Sequence, residues 1–164
     1  MPKLEELNGL SREEFTIILA PTFEHSPWVA ARTAGQRPFR SIADLHAALC
    51  QTVEKASSDE KLALIRAHPD LASEADLTRE SKSEQASAGL DREANAEIEQ
   101  LQGNNREYRA RFGFPFVICV REKKKEEIQR AFSIRLQNSR EQEIETALQE
   151  ICKIANLRLR DLIQ

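Results

Sequence analysis

Phe112-Gly113-Phe114-Pro115-Phe116-Val117-Ile118-Cys119-Val120 is the stretch on which the fold class turns. Its aromatic and β-branched residues, with a glycine and a proline near the start, read by composition as a β-strand. A strand must pair, and no second convincing β segment exists anywhere in the 164 residues. The stretch is therefore expected to be a buried extended segment threaded between helices, with its backbone polar groups satisfied by other partners. The fold class that follows is all-α: a single compact multi-helix domain over residues 1–164.

Helical signals surround the segment on both sides. Upstream, Asp91 opens a helix that turns Ile98, Leu101 and Tyr108 inward. Downstream, a helix from Ile128 to Leu136 stops at Asn138, and Ser139 with Gln142 starts a long last helix. Ile144, Leu148, Ile151, Ala155, Leu159 and Leu162 form its apolar stripe. Toward the N-terminus, Ser11 with Glu14 makes a capping box ahead of Phe15, Ile18 and Leu19. Ser26-Pro27 reads as an N-cap and first helical residue, with Trp28 as anchor and Gly35 as stop. Ser41 caps a helix carrying Ile42, Leu45, Leu49 and Val53, and a further helix from about Ser57 buries Leu62 and Ile65. Pro69 disfavours helical geometry in the residue before it, so His68 sits at that helix's exit.

Composition narrows the function classes. Hydrophobic residues make up 40% and charged residues 31%, enough apolar material to fold around a core without a disulfide or structural metal. The formal net charge is −3, with both signs interspersed, which favours neither nucleic acid nor an anionic membrane. Lys123-Lys124-Lys125 is bracketed by glutamates and reads as the solvated start of a helix. Cys50, Cys119 and Cys152 are odd in number and scattered, a pattern that points to a reducing compartment and away from zinc. His25, His46 and His68 show no ligand spacing, so no metal is expected. No apolar run has the length of a membrane span, and Met1 to Asn8 lack the regions of a signal peptide. A cytoplasmic protein is the expectation.

Three places break the pattern of an ordinary helical core. The candidate helix from Thr78 to Ala88, closed by Gly89, has no large apolar residue between its ends. Ser81, Glu84 and Gln85 stand on it at i, i+3 and i+4, so a hydroxyl, a carboxylate and an amide share one face. Such a trio is most often a solvated surface, but a helix without an apolar face needs another reason to fold onto the protein. A lone histidine is most often structural, yet a helix C-terminus favours the imidazolium of His68, as a general acid or base requires. Arg158 falls on or beside the buried stripe of the last helix, where arginine needs an anionic partner. Pairing with a carboxylate elsewhere in the fold is the plainer account, and an inward clamp for an anion or urea group the sharper one.

Taken in order, His68-Pro69-Asp70-Leu71-Ala72, Ser81 to Glu84-Gln85 with Ala88-Gly89-Leu90, and Arg111-Phe112-Gly113-Phe114-Pro115-Phe116-Val117-Ile118 resemble the 2-oxo-4-hydroxy-4-carboxy-5-ureidoimidazoline (OHCU) decarboxylase family. Glu24-His25-Ser26-Pro27-Trp28, Arg37-Pro38-Phe39 and Leu157-Arg158-Leu159 extend the resemblance over nearly the whole chain. The resemblance implies an all-α enzyme of urate degradation, without metal or organic cofactor and commonly a homodimer, that acts on a small ureidoimidazoline and releases CO2 to give (S)-allantoin. It implies His68 as the catalytic histidine and Glu84 as the acceptor for the substrate hydroxyl. Pro69, Ser81, Gln85 and the main chain of Phe116, Val117, Ile118, Cys119 and Val120 become substrate contacts, and Arg158 the holder of an anionic or carbonyl edge. Members of the family from animals and plants often end in a peroxisomal tripeptide, which Asp161-Leu162-Ile163-Gln164 does not match. Two other readings compete: a cofactor-free hydrolase or tautomerase of a related ureide, and a non-catalytic helical binding module.

Overall fold

Ser11, Ser41, Ser57 and Ser139 each stand at a helix start. The computed structural model describes residues 1–71, 79–87, 95–121 and 123–164. The helices are α1 (Leu4–Gly9), α2 (Arg12–Leu19), α3 (Trp28–Thr33), α4 (Ile42–Glu54), α5 (Ser58–Arg66), α6 (Arg79–Ser87), α7 (Asn95–Phe112), α8 (Lys125–Arg135) and α9 (Arg140–Leu162). No strand occurs among the described residues, so the fold is all-α. The Ser11 and Ser57 hydroxyls accept from the backbone N–H of Glu14 and Glu60, whose carboxylates return to the serine N–H groups. Ser41 caps α4 through Asp44, and Ser139 exchanges the same pair of bonds with Gln142 ahead of α9. Each such cap replaces a backbone partner that the first helical turn lacks, and contributes about 1 kcal/mol. Ser26 departs from expectation. Its hydroxyl donates to the Glu24 carbonyl at 2.8 Å, while Pro27 occupies the N-cap of α3 without a side-chain bond.

The described residues fall into two packed units, residues 1–67 with 151–164, and residues 68–150. In the first unit, α3 packs on both α2 and α4. Leu7, Phe15, Leu19, Val29, Leu45, Leu49, Leu64 and Ile65 are at most 1% exposed. Leu64, rather than Leu62, is the fully buried partner of Ile65 on α5, and Trp28 is only half-buried under the Arg32 guanidinium. A 3-10 turn at Ala34–Gln36 carries the chain past Gly35. Arg37 then fastens the turn, donating to the carbonyls of Ala34 at 2.7 Å and Leu10 at 2.5 Å while its guanidinium covers the Phe15 ring.

The second unit holds the segment that decided the fold class. Gly113 ends α7 at φ 82, a left-handed geometry in which its N–H still reaches the Arg109 carbonyl at 2.8 Å. Residues 115–120 then form neither helix nor strand and, with Phe114, are buried throughout, without the alternation of a half-exposed strand. Phe114 and Phe116, two apart, meet the Tyr108 ring edge-on at 6.0 and 5.2 Å, and Phe116 stacks on Phe132 at 3.8 Å. Burying such rings contributes about 1.5–3 kcal/mol each. The backbone partners that the sequence demanded include a side chain: Arg135 donates to the Val117 carbonyl at 2.6 Å and to the Glu143 carboxylate at 2.7 Å. Glu143, fully buried, also accepts from the Tyr108 hydroxyl and the Asn138 amide. Burial and the hydrogen bond to Glu143 push the Tyr108 phenol above its ordinary pKa.

Candidate active site

His68 follows directly on the end of α5, where Ala67 closes the helix and Pro69 prevents another turn. Its side chain is 6% exposed, which places an imidazole in the protein interior. The chain beyond it is tied down from α7. Asn105, itself 4% exposed, donates to the Leu71 carbonyl at 2.9 Å, and Arg109 pairs with Asp70 at 3.0 Å. A histidine at an otherwise loose helix exit is thereby given a fixed backbone.

On α6 the question left by the sequence was which face is buried. Ser81, Glu84 and Gln85 are 6%, 7% and 7% exposed, whereas Lys82, Ser83 and Ala86 face solvent. The face turned inward is the polar one. Thr78, Ala88 and Gly89, which were expected to bound this helix, lie outside the described residues, as do Asp91 and Ala72.

Phe116, Val117, Ile118, Cys119 and Val120 are all buried, with the Val117 carbonyl held by Arg135. Burial pushes the Cys119 thiol up, and the charges of Glu150 and Glu84 push it further. Two carboxylates therefore act on this part of the extended segment. Arg121 lies 3.7 Å from Glu84, so part of that carboxylate's charge is balanced. Pro69 is half-buried. His68, Pro69, Ser81, Glu84, Gln85 and residues 116–120 all belong to the unit of residues 68–150.

Arg158 belongs to the other unit. It is 2% exposed, and its guanidinium donates to Glu24 Oε1 at 3.2 Å and to the Pro21 carbonyl at 3.1 Å. The carboxylate that a buried arginine needs is thus Glu24, itself 1% exposed.

Four residues of this region escaped sequence reasoning. Arg121, just ahead of the Lys123-Lys124-Lys125 run, and Glu150 on the last helix were not singled out. Asn105 and Arg135 sit on helices whose apolar stripes drew the attention. Only Asn105 offered a signal, since it falls four residues after Leu101, on the inward face of α7.

The unit of residues 68–150 holds a buried imidazole, a buried carboxylate with a cation beside it, a hydroxyl, an amide and a buried stretch of main chain. Such a set can hold a small, highly polar molecule and move a proton on it.

The family model described as OHCU decarboxylase matches residues 8–160. A 2-oxo-4-hydroxy-4-carboxy-5-ureidoimidazoline decarboxylase of Halalkalicoccus jeotgali is 45% identical over 97% of this chain and 90% of its own length. A protein of the same name from Haloferax volcanii is 42% identical over 95% of this chain and 93% of its own. Among solved structures, an (S)-allantoin synthase superposes with a TM-score of 0.82 at 31% identity, covering all of this chain and 54% of that one. Matched by the family model over residues 8–160 and by a 45% identical relative over 97% of its length, this chain belongs to the OHCU decarboxylase family.

Proposed function

We propose that this protein is a carboxy-lyase that converts 2-oxo-4-hydroxy-4-carboxy-5-ureidoimidazoline to (S)-allantoin and CO2 in urate degradation, with His68 and Glu84 at the reacting centre and no metal or organic cofactor. The observation that carries the reading is the inward polar face of α6. Burying a hydroxyl, a carboxylate and an amide together costs several kcal/mol unless each has a partner. The middle of α6 carries no large apolar residue, so what the helix turns inward is polar, the chemistry with which a small polar ligand is held.

The reaction needs little from the protein beyond that place. Breaking the carbon–carboxylate bond leaves an electron pair on the ring carbon, which the adjacent unsaturated ring delocalises as an enolate-like anion. No electron sink has to be supplied from outside the substrate. Glu84 accepts a hydrogen bond from the substrate hydroxyl, which fixes the ring so that the carboxylate stands out of its plane. Ser81, Gln85, Pro69 and the main chain of residues 116–120 hold the remaining polar edges. His68 steadies the developing charge and delivers the proton from one face, which sets the (S) configuration.

In this reading the 164 residues act as one domain in a cytoplasmic homodimer. The scattered thiols support the reducing compartment. The test is to add pure protein to freshly generated substrate and follow CO2 and optical rotation together, with and without EDTA. Faster CO2 release with a transient rotation, unchanged by chelation, is expected. Turnover without CO2 would favour the hydrolase, and a racemic product at the spontaneous rate would remove the enzyme altogether.

A further inference from the structure

Outside the residues assigned to decarboxylation, the unit of residues 1–67 and 151–164 gathers a histidine and two cysteines. His46 and Cys50 stand four apart on α4, so their side chains share one face. His46 Nε2 lies 2.7 Å from the backbone oxygen of Cys152 on α9 and 3.3 Å from Cys50 Sγ. A carbonyl oxygen can only accept, so Nε2 carries a hydrogen. The Cys50 sulfur therefore meets the donor side of the imidazole, where an ionised sulfur is favoured over a thiol. The Cys152 backbone and the Cys50 sulfur thus meet at one ring nitrogen, which brings these cysteines of α4 and α9 side by side. Both cysteines are partly exposed, within reach of a small reagent.

The electrostatics follow the geometry. A side-chain hydrogen bond from Cys152 holds the Cys50 thiol down to about 5, assisted by His46 and opposed by burial. The imidazole is pushed up, chiefly by Cys50, with the Arg160 charge acting against it. Cys119 shows the opposite behaviour, raised by burial and by the nearby carboxylates. One chain thus holds an activated cysteine and a built-in inert one.

We propose that Cys50 and Cys152 form a peroxide-reactive thiol pair, with Cys50 as the attacking thiolate, His46 as the group that keeps it ionised and Cys152 as the resolving thiol. The oxidant is hydrogen peroxide. The Cys50 thiolate attacks one peroxide oxygen, so an S–O bond forms, the O–O bond breaks, and the departing hydroxide takes a proton to become water. Sulfur has lost two electrons and is a sulfenic acid. The Cys152 sulfur then attacks it, forming the S–S bond and breaking S–O, and the second hydroxide leaves as water with the proton of the Cys152 thiol. Two thiols and one peroxide give one disulfide and two waters, and an external dithiol reverses the change.

Peptide mapping of the whole protein after brief exposure to hydrogen peroxide at neutral pH tests this. The expected result is a Cys50–Cys152 disulfide that dithiothreitol removes, with Cys119 still a thiol. Cys152→Ser should stop at a Cys50 sulfenic acid that dimedone captures, and Cys50→Ser should form neither product. A measurement on the unsubstituted chain decides the matter even if these variants fold poorly. Iodoacetamide labelling of Cys50 should reach its plateau by about pH 6, whereas labelling of Cys119 should still rise about tenfold per pH unit up to pH 8, following its thiolate fraction. Oxidation of Cys119 ahead of Cys50, peroxide leaving all three thiols intact, or a Cys50 labelling profile that keeps rising to pH 8 would each overturn the proposal.

Discussion

At the scale of single residues, His68 and Glu84 divide the proposed chemistry between them. His68→Asn keeps a polar side chain of related shape in a site that is 6% exposed, so the fold should survive. Turnover should fall by roughly 10²- to 10⁴-fold, the usual contribution of a positioned acid or base. A steady-state assay paired with a melting curve checks this, and near-normal activity would take His68 out of the mechanism. Glu84→Gln removes the charge and keeps the outline. A charged acceptor makes a bond worth roughly 1.5–3 kcal/mol, so kcat/KM should drop by about one to two orders of magnitude. The transient optical signal should weaken with it, because a loosely held ring can be protonated from either face. A variant equal to wild type in rate and rotation would mean that Glu84 makes no contact with the substrate. His68 was legible in the sequence because Pro69 fixes a helix end locally, whereas Asn105, which fixes the chain beyond it, acts across 34 positions and left only a faint trace.

Among the elements, the extended segment behind α7 depends on a charge in the core. Arg135, 6% exposed, bonds Glu143, reaches the Val117 carbonyl, and lies 4.2 Å above the Phe116 ring. Arg135→Met would leave Glu143 buried without its cation and the Val117 carbonyl without its donor. Breaking a buried pair from one side costs about 3–5 kcal/mol. The urea midpoint should fall accordingly, and KM should rise because residues 116–120 lose their tether. The double change Arg135→Met with Glu143→Leu should recover part of the stability and none of the substrate affinity. Recovery of both would show that the tether has no part in binding. Composition alone read as a strand here, and the lack of a partner strand pointed instead to a buried segment outside any sheet, which is what the described residues show. That an arginine would satisfy its backbone was not legible, because nothing near Val117 in sequence announces a residue 18 positions later.

For the molecule as a whole, the ends of the chain meet in one unit through Arg158 and Glu24, which are 134 positions apart and at most 2% exposed. Neither tolerates the loss of the other. Arg158→Met should lower the melting temperature markedly, reflecting about 3–5 kcal/mol for an abandoned buried carboxylate, and Glu24→Gln in the same background should return much of it. If Arg158→Met melts like wild type but raises KM, the arginine serves the ligand rather than the fold. Calorimetry beside Michaelis constants separates the two outcomes.

Local rules were enough for the all-α class, for the serine-capped helix starts and for the list of residue types able to do the chemistry. A cap is a bond between neighbours three residues apart, and a helical stripe is a property of spacing, so both are written in short stretches of chain. Whether the polar face of α6 is solvated or buried, whether Arg158 finds a carboxylate, and whether His46 meets the Cys50 sulfur and the Cys152 carbonyl were decided only by tertiary structure. Burial and charge pairing depend on what a distant part of the chain brings to the same place, and the free energy of a charge changes more with that neighbourhood than with anything in its own sequence.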